Sequence, residues 1–126
     1  MKRIYFIIPL FLAGCSVFTP SKYDFTFFDR AAQLSIDVES ALPKCGMADM
    51  QTAVSALNHD SKVLVKYTTY ADTDLAGPVQ LTDKAISELY SVYSKGTPSP
   101  AYCELKLKII ALDLQEILKA AGGKDK

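Results

Sequence analysis

Ser99-Pro100-Ala101-Tyr102-Cys103-Glu104-Leu105-Lys106-Leu107-Lys108-Ile109-Ile110-Ala111-Leu112-Asp113-Leu114-Gln115-Glu116-Ile117-Leu118-Lys119-Ala120-Ala121-Gly122-Gly123 is the longest uninterrupted pattern in the chain. Within it Cys103, Leu107, Ile110, Leu114, Ile117 and Ala121 recur at alternating steps of four and three, the spacing that lines one face of an α-helix. Ser99 offers an N-cap hydroxyl, Pro100 suits the first helical position, and Gly122-Gly123 ends the run. Tyr102, Leu105, Ile109, Leu112 and Leu118 supply a second apolar face. A helix apolar on two sides is expected to be the buried one of its fold.

The same period appears three times upstream. Phe27, Ala31, Leu34, Val38 and Ala41, widened by Phe28 and Leu42, predict a first helix from Tyr23 that stops near Pro43. Met47, Met50, Val54, Leu57, Ser61 and Leu64 predict a second. Its continuation over 62–70 is rich in β-branched and aromatic residues, but a strand needs a partner and no other segment reads as one, so helix is expected there too. Residues 72–80 read as a connection broken by Gly77-Pro78. A third helix is expected to open with Thr82 as N-cap, Asp83 in the first turn and Leu81 stapled against Ile86, and to close at Lys95-Gly96. Four amphipathic helices with short connections predict an all-α fold, a small antiparallel four-helix bundle over residues 23–126.

Ahead of this domain stand Met1-Lys2-Arg3, an apolar run over 4–11, and Leu12-Ala13-Gly14-Cys15. A charged start, a short apolar stretch and a small-residue cleavage site describe a secretory signal, too short to span a bilayer. With the cysteine in place the stretch resembles the lipobox of bacterial lipoprotein precursors. That resemblance implies cleavage of residues 1–14, lipidation of Cys15, and a mature chain held by its acyl groups with residues 16–22 as a tether. In the enterobacterial pattern an Asp after the cysteine retains the protein in the inner membrane; Ser16 stands there, which implies the periplasmic face of the outer membrane.

With Cys15 lipidated in an oxidising compartment, Cys45 and Cys103 are left as an even pair and are expected to form a disulfide. The bridge closes a loop of roughly 60 residues, for which chain entropy gives about 4 kcal/mol of stabilisation.

The chain carries 14 basic and 14 acidic residues, and Lys2 and Arg3 leave with the signal. That balance gives no electrostatic footprint for nucleic acid. Catalytic machinery is equally hard to assemble. The one histidine, His59, lies in Asn58-His59-Asp60-Ser61 and reads as a surface or capping residue, and there is no G-x-S-x-G. Asp72-Thr73-Asp74-Leu75-Ala76-Gly77, with Asp83 at the twelfth place, partly resembles an EF-hand loop, but Ala76 stands where an oxygen ligand is required and Asp83 is shorter than the usual Glu. No enzyme, cofactor, metal or small-molecule substrate is expected.

Tyrosine remains. Tyr67, Tyr70, Tyr90 and Tyr93 fall in pairs three apart on successive helices and are expected to line one partner-binding groove. A small lipoprotein of four helices, one Cys between the first two and another early in the last, is similar in architecture to the pilotins of type II secretion. That similarity implies a non-catalytic module that captures a helix or strand of an envelope protein. The alternative is a phage- or plasmid-encoded envelope lipoprotein acting in lysis or exclusion.

Overall fold

The computed structural model describes residues 23–71 and 74–123; the signal, Cys15 and the tether lie outside them. Helix α1 is Phe25–Ala41, α2 is Met50–Ala71, α3 is Ala76–Lys95 and α4 is Pro100–Gly122, and a single 3₁₀ turn, Leu42–Lys44, follows α1. Each helix packs on its chain neighbours, and α1 closes the ring against α4. The result is an all-α bundle with no strand among the described residues.

Helix α1 starts because Asp24 caps it, its Oδ1 accepting the Phe27 N–H at 3.1 Å. Phe27, Ala31, Leu34, Val38 and Ala41 are all buried, so the four-three stripe is the core face. Pro43 then tightens the chain into the 3₁₀ turn. Gly46 follows in the left-handed region, at φ +87°, and a Cβ there would meet Pro100 Cγ at 2.9 Å. Only glycine satisfies both the backbone angle and that close approach. The turn sets Cys45 beside Cys103, the two bonded as a disulfide with Cα atoms 5.7 Å apart.

Helix α2 is unbroken from Met50 to Ala71, so 62–70 is helical as expected. The periodicity explains why: Leu57, Ser61, Leu64 and Thr68 keep one buried face through the β-branched stretch. Thr68 and Thr69 both turn their hydroxyls back to the Val65 carbonyl, at 2.8 and 2.9 Å, which lets a buried threonine sit inside a helix. Met47 lies before the helix and is exposed, not the first residue of its core face.

Several expectations are corrected. Helix α3 begins at Ala76, and Gly77-Pro78 sits in its first turn, not in a connection. First-turn N–H groups have no intrahelical acceptor, so the missing donor of Pro78 costs nothing there. Thr82 is consequently inside the helix, buried, with its hydroxyl on the Pro78 carbonyl at 3.1 Å, and caps nothing. Leu81 is 70% exposed and does not staple onto Ile86, which is deep in the core. Helix α4 is corrected as well. Its Cys103-to-Ala121 stripe is wholly buried, but Leu105, Ile109 and Leu112 of the second face are exposed. They lie opposite the core stripe, and in a ring of four helices that side has no neighbour.

Antiparallel order fixes two ends. At one, the disulfide and the Gly46–Pro100 contact join the end of α1 to the start of α4. At the other, Phe28 lies against Gly122, Tyr67 bonds Asp24, and the 74–75 turn links α2 to α3. Tyr23, the first residue described, is at this second end.

Candidate functional site

The α2–α3 hairpin is registered by a polar clasp. Asp83 Oδ1 lies 2.7 Å from Ser61 Oγ, and both Asp83 oxygens accept from Lys62 Nζ, at 3.0 and 2.9 Å. Lys62 also donates to Ser87 Oγ at 2.7 Å, and Ser87 donates to Asn58 Oδ1 at 3.2 Å. Asp83 is mostly shielded from solvent while Lys62 remains half exposed. Shielding strengthens a charge-assisted bond relative to one in bulk water.

The clasp also says which residues of the two helices meet. Ser61 is level with Asp83 and Asn58 with Ser87, so Tyr90 and Tyr93 lie level with Ser55 and Thr52, in the first half of α2. Tyr67 is then about 20 Å away along the axis, near the opposite end of the hairpin. The expectation that Tyr67, Tyr70, Tyr90 and Tyr93 share one groove is therefore corrected. In an antiparallel hairpin, residues meet when they are equally distant from the turn, and these pairs are not.

Each tyrosine has its own role. Tyr67 is half buried and donates to Asp24 Oδ2 at 2.6 Å, which raises its pKa above the ordinary value. Partial burial pushes the Asp24 carboxyl up, but the bonds from Tyr67 and from the Phe27 and Thr26 backbone outweigh it and leave the group more acidic than usual. Tyr70 is 81% exposed. Tyr90 is partly exposed, and Tyr93 is buried, only 5% exposed.

Tyr90 and Tyr93 form the α3 wall of an open groove of about 620 Å³. Its other wall is α2, where Thr52, Ser55, Ala56 and His59 are small or polar. Short side chains on one helix opposite aromatic ones on the next leave the depression. Tyr93 Oη is buried and has no hydrogen-bond partner, and desolvation raises its pKa. A buried hydroxyl without a partner costs about 1–3 kcal/mol, so this oxygen is a local cost to the fold beneath the groove. Tyrosine faces beside small residues suit the capture of a protein segment.

A second concavity, of about 220 Å³, lies between the start of α3 and the end of α4. Leu75, Pro78, Leu81, Ile117 and Ala120 line it, with Asp113 and Glu116 at its edge. It is apolar and holds no cluster of titratable groups suited to acid–base work. His59 is exposed. Of the EF-hand-like string, Asp72 and Thr73 lie outside the described residues and Asp83 is engaged by Lys62. Among the described residues no group of three His, Cys, Asp or Glu is placed to hold a metal, and no helix is long and apolar enough to cross a membrane.

The Cys45–Cys103 pairing was legible from sequence, whereas the clasp was not, because its partners are 21 to 29 residues apart. Comparison with protein-family models, with curated proteins and with solved structures finds no match for this chain.

Proposed function

We propose that the chain is a lipid-anchored lipoprotein of the outer membrane, facing the periplasm, whose bundle acts as a non-catalytic protein-binding module of pilotin-like or adaptor type. Its binding site is the groove between α2 and α3, with the exposed Tyr90 as the anchoring side chain above the buried ring of Tyr93. The observation that carries the reading is that groove, an aromatic wall beside small residues on a hairpin held in register by the Lys62–Asp83 clasp. Rigid placement matters because a partner then meets a surface already ordered, and less conformational entropy is lost on binding. The anchor is supported by Leu12-Ala13-Gly14-Cys15 behind a charged and apolar start. The disulfide fits an oxidising compartment.

A photo-crosslinking residue at Thr52, in the full chain expressed in cells, tests the site. A discrete envelope-protein adduct from Thr52 that is absent from a control at Lys108 is expected. Equal crosslinking from both positions, or none from either, would remove the groove. Mass spectrometry of the same membrane fraction should find acylated Cys15 at the amino terminus.

A further inference from the structure

Phe25, Tyr70 and Leu81 are the large apolar or aromatic side chains left in solvent near the second end of the bundle, 69, 81 and 70% exposed. They come from three helices. Phe25 opens α1, Tyr70 is next to last in α2, and Leu81 lies in the second turn of α3. All three fall within about 8 Å of the bundle end, measured along the helix axes. Cα–Cβ bonds tilt toward a helix's N-terminus, so Phe25 and Leu81 lean toward that end, while Tyr70 leans back along the bundle. Between α3 and α4 the apolar cleft, with Leu81 and Pro78 among its lining residues, adds Leu75 and Ile117 to the same region.

We infer that this end of the bundle seats directly on a lipid bilayer, with Phe25 and Leu81 entering the interface and Tyr70 at headgroup level. The inference rests on the lipid-anchored reading above. Only seven residues separate Cys15 from Tyr23, which span about 25 Å when fully extended, and Tyr23 is at this same end. The bilayer is therefore within tether reach of this face and farthest from the disulfide end. An interfacial element buries apolar side chains about 5–10 Å deep, the same scale as the zone that Phe25, Tyr70 and Leu81 occupy. Aromatic rings with a polar tip favour the headgroup level, where Tyr70 stands. The exposed Lys66, Lys84 and Lys119 are offset by the exposed Asp29, Asp74 and Glu116, so the seat is apolar rather than electrostatic.

The chain contains no tryptophan, so a single introduced one is a clean reporter. Phe25→Trp, Leu81→Trp and Met47→Trp are each made in the full chain, purified from membranes and reconstituted into phosphatidylethanolamine–phosphatidylglycerol vesicles containing brominated lipid. Met47 is exposed at the disulfide end, about 30 Å away along the bundle. The Phe25→Trp and Leu81→Trp proteins should show blue-shifted emission quenched by the bromines, and Met47→Trp should show neither. No quenching at Phe25→Trp and Leu81→Trp overturns the seat, and so does equal quenching at all three. Intact mass reads the anchor separately. Acylated Cys15 without quenching leaves the anchor standing and the seat refuted, whereas quenching on a chain without acyl groups upholds the seat and refutes the anchor.

Discussion

Tyr67 Oη donates to Asp24 Oδ2 across 43 residues of chain, while Oδ1 of the same carboxylate caps α1 through the Phe27 N–H. One side chain thus starts the first helix and fastens it to the end of the second. The Asp24 carboxyl is held below its ordinary value, so its contribution is fully present above the unfolded value and is lost as pH falls through the folded one. Tyr67, raised above its ordinary value, contributes below about pH 10 and loses that contribution as pH rises further. Tyr67→Phe should cost about 1–2 kcal/mol at neutral pH. In thermal melts from neutral to acid pH, Asp24→Asn should flatten the acid decline seen in the parent chain; an unchanged acid slope would remove the contact from the stability of the fold.

The clasp makes a prediction of its own. Asp83→Ala leaves Lys62 without its carboxylate partner but leaves Ser61 Oγ 3.0 Å from the Asn58 carbonyl, so the expected loss is about 1–2 kcal/mol, short of that for a stranded buried charge. A double-mutant cycle with Lys62→Met by urea denaturation should return a coupling energy of about 0.5–1 kcal/mol. Additive losses would mean that the two side chains act independently.

At the disulfide end two substitutions separate covalent from conformational constraint. Cys45→Ser opens the loop and should lower stability by about 4 kcal/mol, with a large fall in melting temperature. Gly46→Ala keeps the bridge but places a Cβ at positive φ and against Pro100, for an expected cost of about 1–2 kcal/mol. Non-reducing peptide mapping of the Gly46→Ala protein should still recover the Cys45–Cys103 peptide pair.

Tyr93→Phe removes a hydroxyl that has no partner inside the protein, so the melting temperature should hold or rise. Tyr93→Ala empties a core position and should cost about 3–5 kcal/mol. If the groove is the binding site, Tyr90→Ala at the exposed position should weaken partner capture in a pull-down with little loss of stability. Full capture by Tyr90→Ala would assign Tyr90 no part in recognition.

Periodicity carried the architecture because each helix has one four-three stripe, and Phe27 to Ala41 or Cys103 to Ala121 faces the core just as the spacing requires. It failed where two readings had the same local signal. Leu105, Ile109 and Leu112 look like core in a helix drawn alone, and only the arrangement of the other three helices leaves them outside. Thr82-Asp83 has the chemistry of a helix start, yet the helix begins seven residues earlier because Pro78 is tolerated in a first turn. Equal spacing within helices groups the four tyrosines, whereas the register between helices decides which ones meet. That register shows in the contact of Asp83 with Lys62, a pairing no local pattern reveals.

The disulfide also has a mechanical meaning. A pull on the chain ahead of Tyr23 enters there and runs up α1, the helix whose far end is covalently tied to the start of α4. Peeling α1 away from its neighbours can free the chain only as far as Cys45. Beyond that point the load passes through sulfur to Cys103 and into α4, and the segment between the two cysteines, which holds the whole α2–α3 hairpin, is bypassed. The α2–α3 hairpin therefore lies outside the covalent line that runs from Tyr23 through the disulfide into α4.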